Sequence, residues 1–300
     1  MIAPFRTNVK NFFTWSIGGA IVQQEHNNER NNMIIYDMSN EDYHAHQSIS
    51  KSGLDLINRS PAHYYHAART ETTRAMEIGT AIHCAILEPS RFETQYLLLR
   101  DVTDRRKSEY KEAVKQYGSE FVLTGPEADR VVGMRESIRM NNRATMRLDA
   151  PGNAEVSIIT KDPEAGVAVR CRFDWLSSCG HAVDLKKTQD VRTDEFSRTV
   201  ARYRYHVQAA FYSDVYEWET GERLQEFSFL AVEEHMPHAN RVFILDDEAI
   251  REGRKLYREN LNTYARCLDS GEWPGITQDE DELLSLPMWA VSDEEITFDE

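Results

Sequence analysis

Near residue 154 the apolar residues stop recurring every three or four positions and begin to recur every two. The segments AEVSIIT (154–160), GVAVRCRFDWL (166–176) and HAVDLKK (181–187) follow in quick succession, joined by KDPEAG and SSCG. A period of two is that of a strand, and links this short turn neighbouring strands back on one another, so the stretch reads as a three-stranded meander. Helical spacing returns at Phe196, Val200, Tyr203, Val207, Phe211 and Val215, read as one long helix. EFSFLAVEE (226–234) and RVFIL (241–245) are two further strands, and a last helix is closed by Gly271. Upstream, SISKSGLDLINRSPAHYYHA (48–67) reads as a capped helix starting near Ser50 or Ser52 and ending before Pro61. RAMEIGTAIHCAILEP (74–89) is a second helix, and residues 90–150 are charged and mostly helical in pattern. The order α-βββ-α-β defines an α/β (α+β) domain with a central mixed sheet flanked by helices.

The meander carries charge at positions that packing would normally claim. Its second strand holds Arg170, Arg172 and Asp174, and its third holds Asp184 and Lys186. Alternation places Val167, Val169, Cys171, Phe173 and Trp175 on one face of the second strand. In the third, Asp184 and Lys186 share a side and Lys187 points to the other. The SSCG turn can bring Asp174 beside Asp184. Two converging carboxylates make a hard oxygen site suited to Mg2+ or Mn2+, with an ammonium placed to orient a water. A salt-bridged surface hairpin would carry the same spacing, so this pattern alone does not decide. Gln208 and Tyr212, four apart on the following helix with Arg204 one turn earlier, could be a solvated flank. His83, which shares a helix face with Gly79 and Leu87, could be a satisfied core histidine.

Composition narrows the classes. The net charge of −15 argues against a nucleic-acid partner until its distribution is considered. Residues 277–300 hold nine acids and no Lys or Arg, and removing them takes the charge from −15 to −6. Between His181 and His206 six basic residues stand against four acids, so a local field can still guide a polyanion. Cys84, Cys171, Cys179 and Cys267 have no CxxC pairing, a reduced cytosolic pattern. No apolar run reaches the roughly 20 residues of a membrane span. FFTWSIGGAIV (12–22) has a faint signal-peptide character but no convincing cleavage site, and reads as an extension, with Met33 as an alternative start.

Taken in order, SISKSGLDLINRSPAHYYHA, GTAIHCAILEP, RCRFDWL, AVDLKKT, YHVQAAFYSDVY and GEWPGI resemble the PD-(D/E)XK nuclease superfamily. Within it, the chain is most similar to the nuclease domain of the RecE type, the exodeoxyribonuclease VIII group with its phage-borne relatives. The resemblance runs from about Tyr36 to Ile276. It implies His83, Asp174 and Asp184 as metal ligands, with the Leu185 backbone carbonyl as a further one. It implies Lys186 as the motif lysine and Gln208 and Tyr212 as the Q-x-x-x-Y signature that helps place substrate and catalytic groups. Glu155 ranks behind these, because the family pattern puts a ligand on the preceding helix, at His83. The iron–sulfur cluster of related helicase-associated nucleases is not expected, since the four cysteines lack its arrangement.

The resulting expectation is a Mg2+-dependent exodeoxyribonuclease, with Mn2+ able to substitute, acting on double-stranded DNA ends. It would degrade the 5′-ended strand and leave 3′ single strands for a RecT-type annealing protein. A ring tetramer, a cytoplasmic setting in a bacterial host or phage, and no membrane partner complete it. Arg192, Arg198, Arg202 and Arg204 are the candidate phosphate contacts. Residues 1–35 are expected to be a poorly ordered extension, 36–276 the nuclease domain and 277–300 an acidic tail. The rival readings are a structure- or sequence-specific endonuclease on the same fold and an inactive DNA-binding relative.

Overall fold

A computed structural model describes residues 33–68, 72–276 and 281–287. The 12–22 segment and most of residues 277–300 therefore lie outside the described residues. The chain opens with β1 (Met33–Ile35), α1 (Asn40–Ala45), α2 (Lys51–Arg59), α3 (Pro61–Tyr65), α4 (Arg74–Leu87) and α5 (Pro89–Gln95). Next come β2 (Leu97–Leu99), α6 (Ser108–Tyr117), β3 (Val122–Thr124), α7 (Gly125–Arg139) and α8 (Asn142–Leu148). The meander is β4 (Gly152–Lys161), β5 (Ala168–Ser177) and β6 (His181–Thr188). It is followed by α9 (Thr193–Arg202), α10 (Tyr205–Thr220), β7 (Glu226–Glu233), β8 (Asn240–Ile244) and α11 (Asp247–Ser270).

Six strands form one mixed sheet in the order β1-β4-β5-β6-β7-β8, in which only β6 and β7 pair in parallel. A parallel pair cannot be closed by a tight turn, and the α9–α10 segment supplies the crossover. Strands β6 and β7 are covered on both sides, as parallel strands usually are. Ala182, Phe229 and Ala231 pack with Leu54, Phe211 and Tyr257 in one core, built on α2, α10 and α11. Val183, Leu185, Leu230 and Val232 pack with Ile82, Val131 and Met134 in the other, built on α4 and α7. Strands β2 and β3 make a separate parallel pair with α6 beside it.

Local chemistry sets the boundaries. Ser50 caps α2 by accepting from the Gly53 N–H, and Pro61 opens α3 rather than extending α2. Strand β1 pairs antiparallel with β4, so the folded unit takes in Met33–Ile35, three residues inside the stretch assigned to the extension. The long helix read through Phe196–Val215 is two helices. Tyr203 and Arg204 interrupt it, and Arg204 has φ 56°, a left-handed conformation no α-helix contains.

A second departure lies in the meander. Register between β4 and β5 is kept throughout, but Glu155 and Asp174, which face each other, make no ladder pair, and Glu155 has φ 54°. Sides exchange there. Val156 and Phe173 pack into the α10 core, whereas Ala154 and Trp175 pack against the α4 core. The alternation that placed Trp175 with Phe173 is broken by one left-handed residue on the partner strand.

Helix α11 crosses α10 closely because Gly253 has no side chain. A Cβ built there would lie 2.2 Å from the carbonyl oxygen of His206. Gly253→Ala should therefore destabilise by about 1–3 kcal/mol through overpacking, despite a helix-propensity gain of about 1 kcal/mol. Gly79→Ala in α4, where a Cβ meets nothing within 4 Å, should leave the melting temperature unchanged or raised. Thermal denaturation of the two variants checks the pair, and a neutral Gly253→Ala would contradict the close crossing.

Candidate active site

The hairpin of β5 and β6 pairs at only two positions, Trp175 with Val183 and Leu176 with Ala182. Beyond them the strands part, and the first residues past the split are Asp174 and Asp184. Where a backbone carbonyl would have accepted the next ladder bond, Asp174 Oδ2 takes the Leu185 N–H at 2.7 Å. That bond holds the Asp174 carboxylate at the mouth of the split, with 15% of its side chain exposed.

Three elements converge on it. Helix α4 presents His83, whose Nδ1 lies 3.5 Å from Asp174 Oδ2. The left-handed turn of β4 presents Glu155, whose carboxylate is also within 3.8 Å of Arg172 Nη1. One ligand atom each from His83, Glu155 and Asp174 lie within 4.8 Å of one another, all on half-buried residues. Arg172 is itself fixed, with its guanidinium 4.3 Å from the Tyr43 ring centroid and donating to Ser157 Oγ and the Met38 carbonyl.

Asp184 faces the α10 side and is nearly sealed, at 3% exposure. Gln208 Nε2 donates to its Oδ1 at 2.5 Å. Lys186 Nζ stands 2.6 Å from its Oδ2, yet no donor meets that oxygen in hydrogen-bonding geometry. The ammonium is instead steered over the ring of Tyr205, 4.5 Å from the centroid. A buried carboxylate oxygen held by charge alone, beside a trio of imidazole and carboxylate ligands, fits a divalent cation, and so does the hard oxygen donor set.

The electrostatics agree. Burial pushes the Asp174 carboxyl up to about 7, the Asp184 charge adds to the rise, and His83 and Lys186 oppose it. Glu155 is raised for the same first reason, burial. Burial works against the Lys186 ammonium, but Asp184 and Asp174 outweigh it and its pKa is raised, so it stays charged at neutral pH. Carboxylates this crowded hold protons that a cation would displace.

Of the residues singled out in the sequence, His83, Asp174, Asp184, Lys186 and Gln208 are gathered at the split. The Leu185 N–H is committed to Asp174 and its side chain to the α4 core. Tyr212 is set back, with its ring edge-on to Phe173 and Phe227 and its hydroxyl pKa well above the ordinary value through burial. Glu155, ranked behind the others, stands among them. Its register opposite Asp174 was available in the sequence, but the left-handed backbone that turns it inward was not. Lys187 is on the far side, 2.8 Å from Glu234. Arg192 and Arg198 are exposed beside Asp190 and Glu195, Arg202 lies over the Tyr203 ring, and Arg204 turns inward to Asp55. All four cysteines are free, with Cys179 exposed. Among the described residues no helix is long and apolar enough to cross a membrane.

This fold and this split carboxylate site define a PDDEXK-like domain. The chain belongs to a family described as a PDDEXK-like domain of unknown function (DUF3799), whose model matches residues 21–281. It is similar to the crystal structure of a "putative exonuclease" from Eubacterium rectale, with a TM-score of 0.57 at 14% identity, over 84% of this chain and 96% of that one. The solved structure of SSO0001 overlaps at 12% identity, over 69% of this chain and 83% of its own, with a TM-score of 0.26. No curated protein matches the chain.

The raised Asp174 carboxyl has a consequence for stability. Its ordinary value is about 4, so between pH 4 and 7 the unfolded chain has released a proton that the folded chain keeps. The unfolded state then binds fewer protons, and metal-free stability falls as pH rises through that window. Asp174→Asn keeps an acceptor for the Leu185 N–H and removes the titration. Melting temperatures in chelator from pH 4.5 to 7.5 should fall more steeply for the wild type than for this variant. Equal slopes would contradict the buried, crowded setting of Asp174.

Proposed function

We propose that this protein is a metal-dependent exodeoxyribonuclease that degrades the 5′-ended strand of linear duplex DNA. The single observation that carries the reading is the parting of β5 and β6 at Asp174 and Asp184, with Lys186 on the Asp184 side. Family membership supports a nuclease, and the sequence resemblance to the RecE type supports the exonuclease specificity. That resemblance also favours a ring tetramer, a phage or bacterial cytoplasmic setting and 3′ single strands passed to a RecT-type annealing protein.

His83, Glu155, Asp174 and Asp184 are the residues that would hold Mg2+ or Mn2+. When bound, the cation supplies Lewis acidity and neutralises charge on the phosphate. The chain's own groups do the rest. Gln208 fixes the rotamer of Asp184 through its 2.5 Å bond. Asp174 is oriented by the Leu185 N–H. Lys186, kept charged by the two aspartates, acts as a donor that orients the attacking water and stabilises charge building on the phosphate oxygens. Tyr212 holds the α10 face against Phe173, so that Gln208 meets β6 in register.

With Mg2+ present, the wild type should shorten end-labelled linear duplex and leave a covalently closed circle intact. Degradation of both at similar rates would favour the endonuclease reading. Lys186→Ala should slow single-turnover cleavage by about 10²–10⁴. Lys187→Ala, which breaks only the pair with Glu234, should stay within about twofold, since exposed ion pairs contribute little. A larger defect in Lys187→Ala would overturn the assignment of the motif lysine.

A further inference from the structure

The break between α9 and α10 puts Arg204 in a conformation that residues with a side chain seldom adopt. That strain has a local result. The guanidinium turns inward against α2, with 17% of its side chain exposed, and its Nε lies 3.1 Å from Asp55 Oδ1. The pair is misaligned. Arg204 Nε and Nη2 and Asp55 Oδ1 are all sealed from solvent without a hydrogen-bond partner. On the other side of Asp55, Lys51 Nζ is 2.7 Å from Oδ2 and donates to the Tyr203 carbonyl at 2.8 Å. Two cations from separate elements thus share one carboxylate, which at 32% exposure is the most open of the three.

The cations are also in excess. Burial lowers the Lys51 pKa, and Lys186 and Arg204 push it the same way against Asp55. An Arg whose donors lack acceptors and a Lys crowded by like charge are what a phosphate would satisfy, because its oxygens accept from both at once. A plain structural ion pair would be expected to align its donors with the carboxylate.

Resting on the nuclease reading, we propose that Lys51 and Arg204 form a subsite for a non-scissile backbone phosphate of the DNA, with Asp55 as its internal stand-in. The phosphate displaces Asp55 from the two cations as the duplex docks. Tyr203, 52% exposed between Arg202 and the stacked ring of Tyr205, stands at the rim of this subsite. Lys51 and Arg204 act as positioning residues, since neither meets the carboxylates that would hold the cation.

Steady-state cleavage of linear duplex with Mg2+ tests the subsite. Lys51→Gln and Arg204→Gln should each raise KM for DNA about tenfold and make log KM about one unit less steep against log salt. Asp55→Asn should do the reverse and lower KM severalfold, which a purely structural pair would not do. Half-saturation by Mg2+ should be the same in all three, and melting temperatures establish that each is folded. Wild-type KM in both cation variants, or a raised KM in a folded Asp55→Asn, would overturn the subsite. If the wild type cleaves no linear duplex, the nuclease reading has failed. The same ordering is then read as duplex affinity by fluorescence anisotropy, where unaltered affinities would overturn the subsite by itself.

Discussion

A carboxylate standing in for a backbone carbonyl organises the centre of this protein. The Leu185 N–H sits at the point where β5 leaves β6, and a buried amide there needs an acceptor. Asp174 supplies it with Oδ2 at 2.7 Å. The sheet can split without orphaning its amide only because that side chain is an acceptor of the right length, and the carboxylate is thereby fixed beside His83. One hydrogen bond thus serves the fold and presents the site. The same place costs stability. Glu155 is held in a left-handed conformation, and three carboxylates crowd a region with limited solvent access.

The two faces of the sheet divide the work. On the α4 side, His83, Glu155 and Asp174 bring nitrogen and oxygen ligands together. On the α10 side, Gln208 and Lys186 flank Asp184. The split opens the layer between Asp174 on one side and Asp184 on the other. Closed pairing of β5 with β6 would leave Asp174 and Asp184 on a continuous sheet. The parallel β6–β7 pair is buried on both faces and anchors the far side of the opening.

Much of this is legible in the amino-acid sequence. The change of period at residue 154 marked the meander, Ser50 and Pro61 bounded α2, and the Asp174, Asp184, Lys186 spacing located the hairpin charges. His83 and Gln208 stand out only through the order of segments; His83 lies beside Asp174 and Gln208 donates to Asp184. Three features were not legible, for a common reason. The left-handed residues Glu155 and Arg204 are neither Gly nor Asn, so nothing in their type announces a positive φ. Glu155 consequently reads as an ordinary strand residue, Trp175 reads onto the Phe173 face, and α9–α10 reads as one helix. Tertiary packing overrode a local pattern that was otherwise well formed. The inward turn of Arg204 towards Asp55 was hidden by the same break.

The claim on which the account depends is that the split of β5 and β6 holds a divalent cation. Anomalous diffraction from crystals grown with Mn2+ tests it most directly. One strong peak is expected within coordination distance of Asp174 and Asp184, with His83 or Glu155 in contact and Lys186 displaced from Asp184 Oδ2. Clear density for these side chains with no peak between them, and with Lys186 still paired to Asp184, would contradict it.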